Sequence, residues 1–272
     1  MDLSIIIPVY NSEKIVQLLT NQIIKSVNDI KSIESYEILL INDCSHDDSW
    51  EKIKSLAKTS DIIKGINLSQ NIGQHGALMV GFNECKGKVI VTMDDDLQHS
   101  PNSIIDILNE LNKGFDVCYA KYLNRKHPTW KKGVSWLNAI ISSFLINKPL
   151  SLYLCTFRGI KSDIVKEIIK YKDSRIYVDG LILRITKKIS TVPVEHYYRY
   201  QGPSNYNLKR LLVLWYDMAL GFPIYPIRIA TIFIIIIKIN IFIFKKIFLL
   251  FNKQEKKQYE IIERTYDRDE KV

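Results

Sequence analysis

An α/β protein with a mainly parallel sheet flanked by helices is the fold class this chain predicts. Three observations carry it: short apolar runs recur at strand length, stretches long enough for helices separate them, and a polar cluster follows each of the first four runs. The runs are Ser4 to Val9, Glu37 to Ile41, Ile63 to Leu68, Val89 to Met93 and Asp116 to Ala120.

In a parallel α/β sheet the functional groups collect where strands end and the chain turns into the next helix. The sequence puts Pro8-Val9-Tyr10-Asn11, Asn42-Asp43-Cys44-Ser45, Ser69-Gln70-Asn71 and Asp94-Asp95-Asp96 at those ends. All of these polar clusters are therefore expected on one rim. Beyond Tyr119 the pattern loosens into a basic segment, a helix over Val134 to Ile146, a stretch from Leu150 to Ile160 and a helix around Asp163 to Lys170. Pro193-Val194-Glu195-His196 reads as a further strand end, and Leu208 to Leu220 has apolar residues at helical spacing.

The part from Phe222 to Phe251 is the most apolar, but its uninterrupted core runs only from Ile229 to Ile237. Arg228, Lys238, Asn240, Lys245 and Lys246 punctuate the rest, and a bilayer crossing takes about 20 mostly apolar residues. The expected organisation is a catalytic domain over residues 1–207, a membrane-attachment region over 208–251 and a charged cytoplasmic tail over 252–272. The membrane-associated helices are expected to lie in the interface, with lysines at anionic headgroups, because a single crossing would carry the lysine cluster outside.

The bulk properties narrow the class. With 272 residues and 47% apolar side chains, the chain can bury a full core. Its four cysteines show no CxxC or paired ligand spacing, which argues against a zinc site or a disulfide framework. No basic leader precedes the first apolar run, so the catalytic part is expected to stay in the cytoplasm. The net charge of +9 concentrates near Lys121 to Lys132, Arg199 to Arg210 and Lys238 to Lys257. Basic residues beside an apolar run point to a membrane surface and away from nucleic acid.

The triplet Asp94-Asp95-Asp96 follows an apolar run, and such a cluster of mutually repelling carboxylates is tolerable mainly when a hard cation neutralises it. Asp96 and Gln98 project from one short turn and are placed to share a metal, while Asp94 faces a nucleotide. Each residue singled out also has a plainer explanation: a strand stop for Pro8, a turn former for Asp43, a helix N-cap for Asp179, and capping or packing for Gln74 and His75.

Four segments in order resemble family 2 glycosyltransferases of the GT-A fold, a Rossmann-like architecture. The likeness is greatest to the branch containing dolichol-phosphate mannose synthase and bacterial polyprenyl-phosphate glycosyltransferases. They are Ser4-Ile5-Ile6-Ile7-Pro8-Val9-Tyr10-Asn11, Ile41-Asn42-Asp43-Cys44-Ser45, Asn71-Ile72-Gly73-Gln74-His75-Gly76-Ala77 and Asp94-Asp95-Asp96-Leu97-Gln98-His99-Ser100-Pro101. The second matches an Asp-Asp-Gly-Ser element with Asn and Cys substituted, and the likeness covers roughly residues 3–230.

The resemblance implies that Pro8, Tyr10 and Asp43 hold the base and ribose and that Asp94 assists the nucleotide. It implies that Asp96 and Gln98 hold Mg²⁺ or Mn²⁺ against the diphosphate, and that Asp179 is the acceptor-side acid or base of an inverting transfer. Arg199 and Ser204, in Arg199-Tyr200-Gln201-Gly202-Pro203-Ser204-Asn205-Tyr206, and Lys131 with Ser135 match the lipid-phosphate contacts of that branch. The implied activity moves a sugar from a nucleotide-sugar donor to a lipid-linked acceptor, either polyprenyl phosphate or a lipid-linked glycan. The implied setting is cell-envelope glycan assembly at the cytoplasmic face of the membrane, with homo-oligomerisation left open. Two other readings compete: a nucleotidyltransferase, which Pro8 to Glu13 disfavours by lacking a glycine-rich basic loop, and a non-catalytic membrane-surface sugar-nucleotide-binding protein, which Asp94, Asp96, Gln98 and Asp179 disfavour.

Overall fold

The computed structural model describes residues 1–122, 141–143, 146, 148–172, 177–195, 197, 234 and 237–246. The chain divides into two compact units, Met1–Phe222 and Pro223–Val272.

The described residues of the first unit form seven strands, β1 (Leu3–Val9), β2 (Tyr36–Asn42), β3 (Ile63–Asn67), β4 (Val89–Thr92), β5 (Val117–Tyr122), β6 (Arg158–Lys161) and β7 (Ile189–Val194). They form one sheet in the order β3-β2-β1-β4-β6-β5-β7. The pairs β1·β2, β1·β4, β2·β3 and β5·β7 are parallel, whereas β6 runs antiparallel to both β4 and β5. The mainly parallel sheet is therefore the predicted one, and the first five apolar runs become β1 to β5 with ends shifted by at most two residues.

The described helices of this unit are α1 (Val16–Asn28), α2 (Ser49–Thr59), α3 (Gly73–Glu84), α4 (Ile104–Asn112), α5 (Ser162–Ile168) and α6 (Val178–Ile185). In α1 the buried Val16, Leu19, Ile23 and Val27 recur every three or four residues, which is one face of a helix. Helix α3 lies against β1 and β2, and its approach depends on Gly81, where a Cβ would stand 2.4 Å from Ile6 Cγ2. The core is aliphatic, with Ile5, Ile6, Ile7, Leu39, Leu40 and Ile90 all fully or almost fully buried.

The end of the strands opposite the expected site is fastened by Glu37, the second residue of β2, which is wholly buried. Its Oε1 accepts Ser4 Oγ at 2.6 Å and the Lys86 N–H at 2.7 Å, and its Oε2 takes the Lys64 ammonium. Burial works against the charge, but these donors outweigh it and hold the carboxyl below its ordinary value. A depressed folded-state value contributes stability that is present above the unfolded carboxyl's pKa and lost as pH falls. Glu37→Gln is therefore expected to cost about 1–3 kcal/mol near neutrality. The difference from the parent should shrink in urea melts taken below about pH 4. A gap that stays constant from neutral to acid pH would show that the charge of Glu37 carries none of this stability.

In the second unit residues 237–246 are helical, and Ile237, Ile239, Ile241, Phe242, Ile243 and Phe244 are exposed, Phe244 by 71%. No helix among the described residues is long and apolar enough to cross a membrane. The expected helices over Val134 to Ile146 and Leu208 to Leu220 lie largely or wholly outside the described residues.

Candidate active site

The four turns on the C-terminal rim of β1 to β4 are bonded to one another, and each contains a residue in the left-handed backbone region: Asn11 (φ 54°), Cys44 (φ 55°), Gly73 (φ 76°) and Leu97 (φ 59°). A residue with a Cβ adopts this region at a cost of roughly 1 kcal/mol or more, so the surrounding contacts must hold it there. Asn11 N–H donates to Ser45 Oγ at 3.0 Å, and Asn11 Oδ1 accepts the His46 N–H at 2.9 Å. These bonds join the turn after β1 to the turn after β2.

Asp43 then joins the second turn to α3. Its two carboxylate oxygens accept the N–H groups of Ile72 at 2.8 Å and Gly73 at 2.9 Å, and its own carbonyl takes the Asn71 amide at 3.0 Å. A carboxylate there satisfies helix N-H donors that have no intrahelical partner and meets the positive end of the helix dipole. Asp43 is accordingly only 3% exposed, and the residue expected from the sequence to contact a nucleotide holds the start of α3 in place. Pro8 sits in β1 opposite Ile41, and Tyr10 stands 42% exposed with its ring edge-on to His46 at 6.4 Å.

The acidic triplet diverges instead of clustering. Asp94 accepts the Gln74 amide of α3 and, at 2.5 Å, Thr156 Oγ1 from just before β6. Asp95 accepts Ser12 Oγ at 2.5 Å and the Tyr10 N–H at 3.0 Å. Asp96 accepts the Gln98 N–H at 3.1 Å within its own turn, across the left-handed Leu97. Burial pushes the Asp95 carboxyl up to about 6, with Asp94 and Asp96 adding to the rise and the Ser12 and Tyr10 bonds opposing it. Hydroxyl and amide donors thus offset part of the repulsion that the sequence led one to expect a cation, in the main, to neutralise.

Among the described residues no three His, Cys, Asp or Glu side chains converge on one point. Asp96 and Gln98 therefore offer a sparse, all-oxygen set, of the kind that suits Mg²⁺ or Mn²⁺ when diphosphate and water fill the remaining positions. Gln98 is braced from the other side, where its Nε2 donates to Tyr197 O at 3.4 Å and its backbone carbonyl accepts the Tyr197 N–H at 3.1 Å. Beneath it His99, 3% exposed, stacks on Tyr122 and contacts its hydroxyl at 2.5 Å. Burial, against the pull of Asp96, holds His99 near 4, which fits a neutral side chain packed on Tyr122.

Asp179 is the second residue of α6, not its N-cap, which is Tyr177, and it is 5% exposed. Its Oδ1 accepts Tyr119 Oη at 2.9 Å and pairs with the guanidinium of Arg158, which is wholly buried in β6. His75, packed edge-on against Tyr177 at 5.0 Å, borders this pair. Its burial outweighs the attraction of Asp179, with Arg158 adding to the fall, and holds it near 4. Sequence reading missed Arg158, Tyr119, Ser12, Asp95 and Thr156 as participants. For Arg158 the available signal was an arginine inside an apolar run. Lys131, Ser135, Arg199 and Ser204 lie outside the described residues.

Both the sequence and the fold have known counterparts. Undecaprenyl-phosphate 4-deoxy-4-formamido-L-arabinose transferases of Yersinia pestis and Edwardsiella ictaluri are 30% and 29% identical over 230 and 231 residues. The matches cover 84% and 85% of this chain and 70% of each relative. Among solved structures, S. aureus TarS 1-349 in complex with UDP-GlcNAc aligns with a TM-score of 0.55 at 20% identity, covering 82% of this chain and 68% of that one. The longer S. aureus TarS chain is covered by only 40%. Glucosyl-3-phosphoglycerate synthase from Mycobacterium tuberculosis, in complex with Mn²⁺, UDP and phosphoglyceric acid, aligns at 0.52 and 14% identity, covering 79% of this chain and 75% of that one. The glycosyl transferase family 2 model matches residues 4–169, a span that contains all four bonded turns. The chain belongs to glycosyl transferase family 2 and is a glycosyltransferase.

Proposed function

We propose that this glycosyltransferase moves a sugar from a nucleotide-sugar donor to polyprenyl phosphate, at the cytoplasmic face of a membrane, in cell-envelope glycan assembly. The observation that carries the donor half is the bonded rim, where the nucleotide-side turns and the Asp94 to Gln98 turn are fixed relative to one another. Support for the acceptor comes from relatives over 84–85% of this chain whose names specify undecaprenyl phosphate. A lipid-linked glycan is the second acceptor, favoured by the buried Asp179, because a hydroxyl acceptor needs a base and an ionised phosphate oxygen does not.

In this reading Pro8, Tyr10 and Asp43 line the base and ribose side, and Asp94 faces the nucleotide. Asp96 and Gln98 would hold Mg²⁺ or Mn²⁺, whose charge stabilises a nucleoside diphosphate leaving group. Tyr119 and Arg158 both engage Oδ1 of Asp179, so contact with an acceptor would fall to Oδ2. Lys131, Ser135, Arg199 and Ser204 are assigned to the lipid phosphate by resemblance. The exposed isoleucines and phenylalanines of residues 237–246, flanked by Lys245 and Lys246, suit the headgroup boundary of an anionic bilayer.

The test is sugar transfer in anionic vesicles that carry undecaprenyl phosphate, with UDP-, GDP- and dTDP-sugars in turn and Mg²⁺ or Mn²⁺ present. The expected results are a charged sugar-lipid product, co-flotation of the chain with the vesicles, and no product in chelator. Product on a lipid-linked glycan but none on the lipid phosphate would transfer the assignment to the second acceptor. Product on neither, from any of the donors, would remove the proposal.

A further inference from the structure

The triplet contains one carboxylate that none of the roles above uses. We propose that Asp95 is a positioning residue that latches the nucleotide-side turn after β1 to the metal-side turn after β4, so that cation and nucleotide bind as one coupled event. The inference rests on the donor and metal reading just given.

Three features of the geometry support it. First, both hydrogen bonds received by Asp95 come from the other turn: Ser12 Oγ at 2.5 Å and Tyr10 N–H at 3.0 Å, each more than 80 residues away in the chain. Of its neighbours, Asp94 accepts hydrogen bonds from Gln74 of α3 and from Thr156 just before β6, and Asp96 accepts one from the Gln98 N–H. Asp95 is thus turned toward β1, between two residues assigned to the donor and its cation.

Second, the latch continues past Ser12. Ser12 N–H donates to Ser49 Oγ at 2.8 Å, and Ser49 Oγ donates to Asp47 Oδ1 at 2.5 Å. Asp47 Oδ2 then accepts the Glu13 N–H at 3.1 Å, which returns the chain of bonds to the first turn. The position of Asp95 is consequently sensed at the start of α2 as well. Third, Tyr10 takes part through its backbone N–H, so the bond fixes the course of the turn itself and leaves the exposed ring available. A shift of the Asp94 to Gln98 turn on taking a cation would be carried directly to the residues beside the base and ribose.

A coupling device has a signature that a plain structural bond lacks: the gain in nucleotide affinity produced by the cation falls when the latch is cut. Calorimetric titration of UDP, GDP and dTDP, each with Mn²⁺ and with chelator, measures that gain for the parent, Asp95→Asn, Ser12→Ala and the double variant. The expected result is a fall of about tenfold in the gain for each single variant, with the double variant no worse than either, since both cut one link. Ser12→Thr, which keeps the hydroxyl, should restore the parent gain, and melting curves guard against simple unfolding.

If Asp95→Asn removes the gain while Ser12→Ala keeps it, Asp95 acts as a metal ligand and the latch is wrong. Additive losses, or a parent gain in both single variants, overturn it too. Should the parent bind none of the three nucleotides, the donor reading fails and takes this one with it, an outcome distinct from parent binding with unaltered coupling.

Discussion

Asp96→Asn is expected to lower turnover by about a hundredfold to a thousandfold, the range seen when one group that stabilises developing charge is removed. One hydrogen bond of Asp96 joins the Gln98 N–H at 3.1 Å, two residues on, and an asparagine carbonyl can still accept it. Asparagine also keeps the size and shape of the side chain, and urea melts of the variant separate lost turnover from lost stability. What the variant loses is a negative charge beside a diphosphate-bound cation, and the neutral amide is the weaker ligand for a hard ion. Raising Mn²⁺ should recover part of the rate. Steady-state transfer assays across a metal titration check this, and parent-level turnover of the variant in chelator would end the metal assignment.

The second large effect belongs to Asp179 and is chiefly one of stability. Arg158 is wholly buried, and two of its nitrogens, Nε and Nη2, have no hydrogen-bond partner, so the carboxylate of Asp179 is its principal compensation. Removing one member of a buried pair strands the other charge, at about 3–5 kcal/mol, whereas replacing both by apolar groups is often close to neutral. Asp179→Ala is thus expected to lower the urea midpoint sharply, and Arg158→Met with Asp179→Leu together to recover much of the loss. That stable double variant also separates two roles. If Asp179 serves a hydroxyl acceptor as base, turnover stays low although the fold has recovered; for a phosphate acceptor, turnover returns with stability. Urea melts and transfer assays on the same preparations decide the matter, and an Asp179→Ala variant as stable as the parent would contradict the structural half.

Much of this was legible beforehand because β1, β2 and β4 are buried on both faces. Leu3 to Ile7 and Ile38 to Ile41 are almost wholly enclosed, and full enclosure is what makes a strand read as an unbroken apolar run. The turns were legible through their polar residues, and the structure explains one departure from the family pattern. Cys44 stands where the related element has glycine, and its φ of 55° is the conformation glycine adopts freely. The resemblance, with the match over residues 4–169, supplied roles that spacing alone left open.

Other parts were hidden for physical reasons. Strand order is not written in any local pattern, so nothing in Arg158 to Lys161 announced a strand inserted antiparallel between β4 and β5. The buried ion pair was hidden too, because Asp179 and Arg158 meet only once β5, β6 and α6 are assembled. The outward splay of the acidic triplet depends on Ser12, Gln74 and Thr156, each supplied by a different element.

The inserted strand also bears on biosynthesis. β4 has partners β1 and β6, and β5 has β6 and β7, so β4 and β5 never pair with each other. A nascent chain that has emerged only as far as Tyr122 therefore presents Val89–Thr92, a short uncharged β-branched segment, as an open sheet edge. Such an edge is a template for pairing with another chain, and β5 is the nearest segment able to occupy it wrongly. The correct neighbour arrives only when Arg158 to Lys161 has been made. Until then β4 has no partner on that side, and pairing there with another chain competes with completion of the sheet.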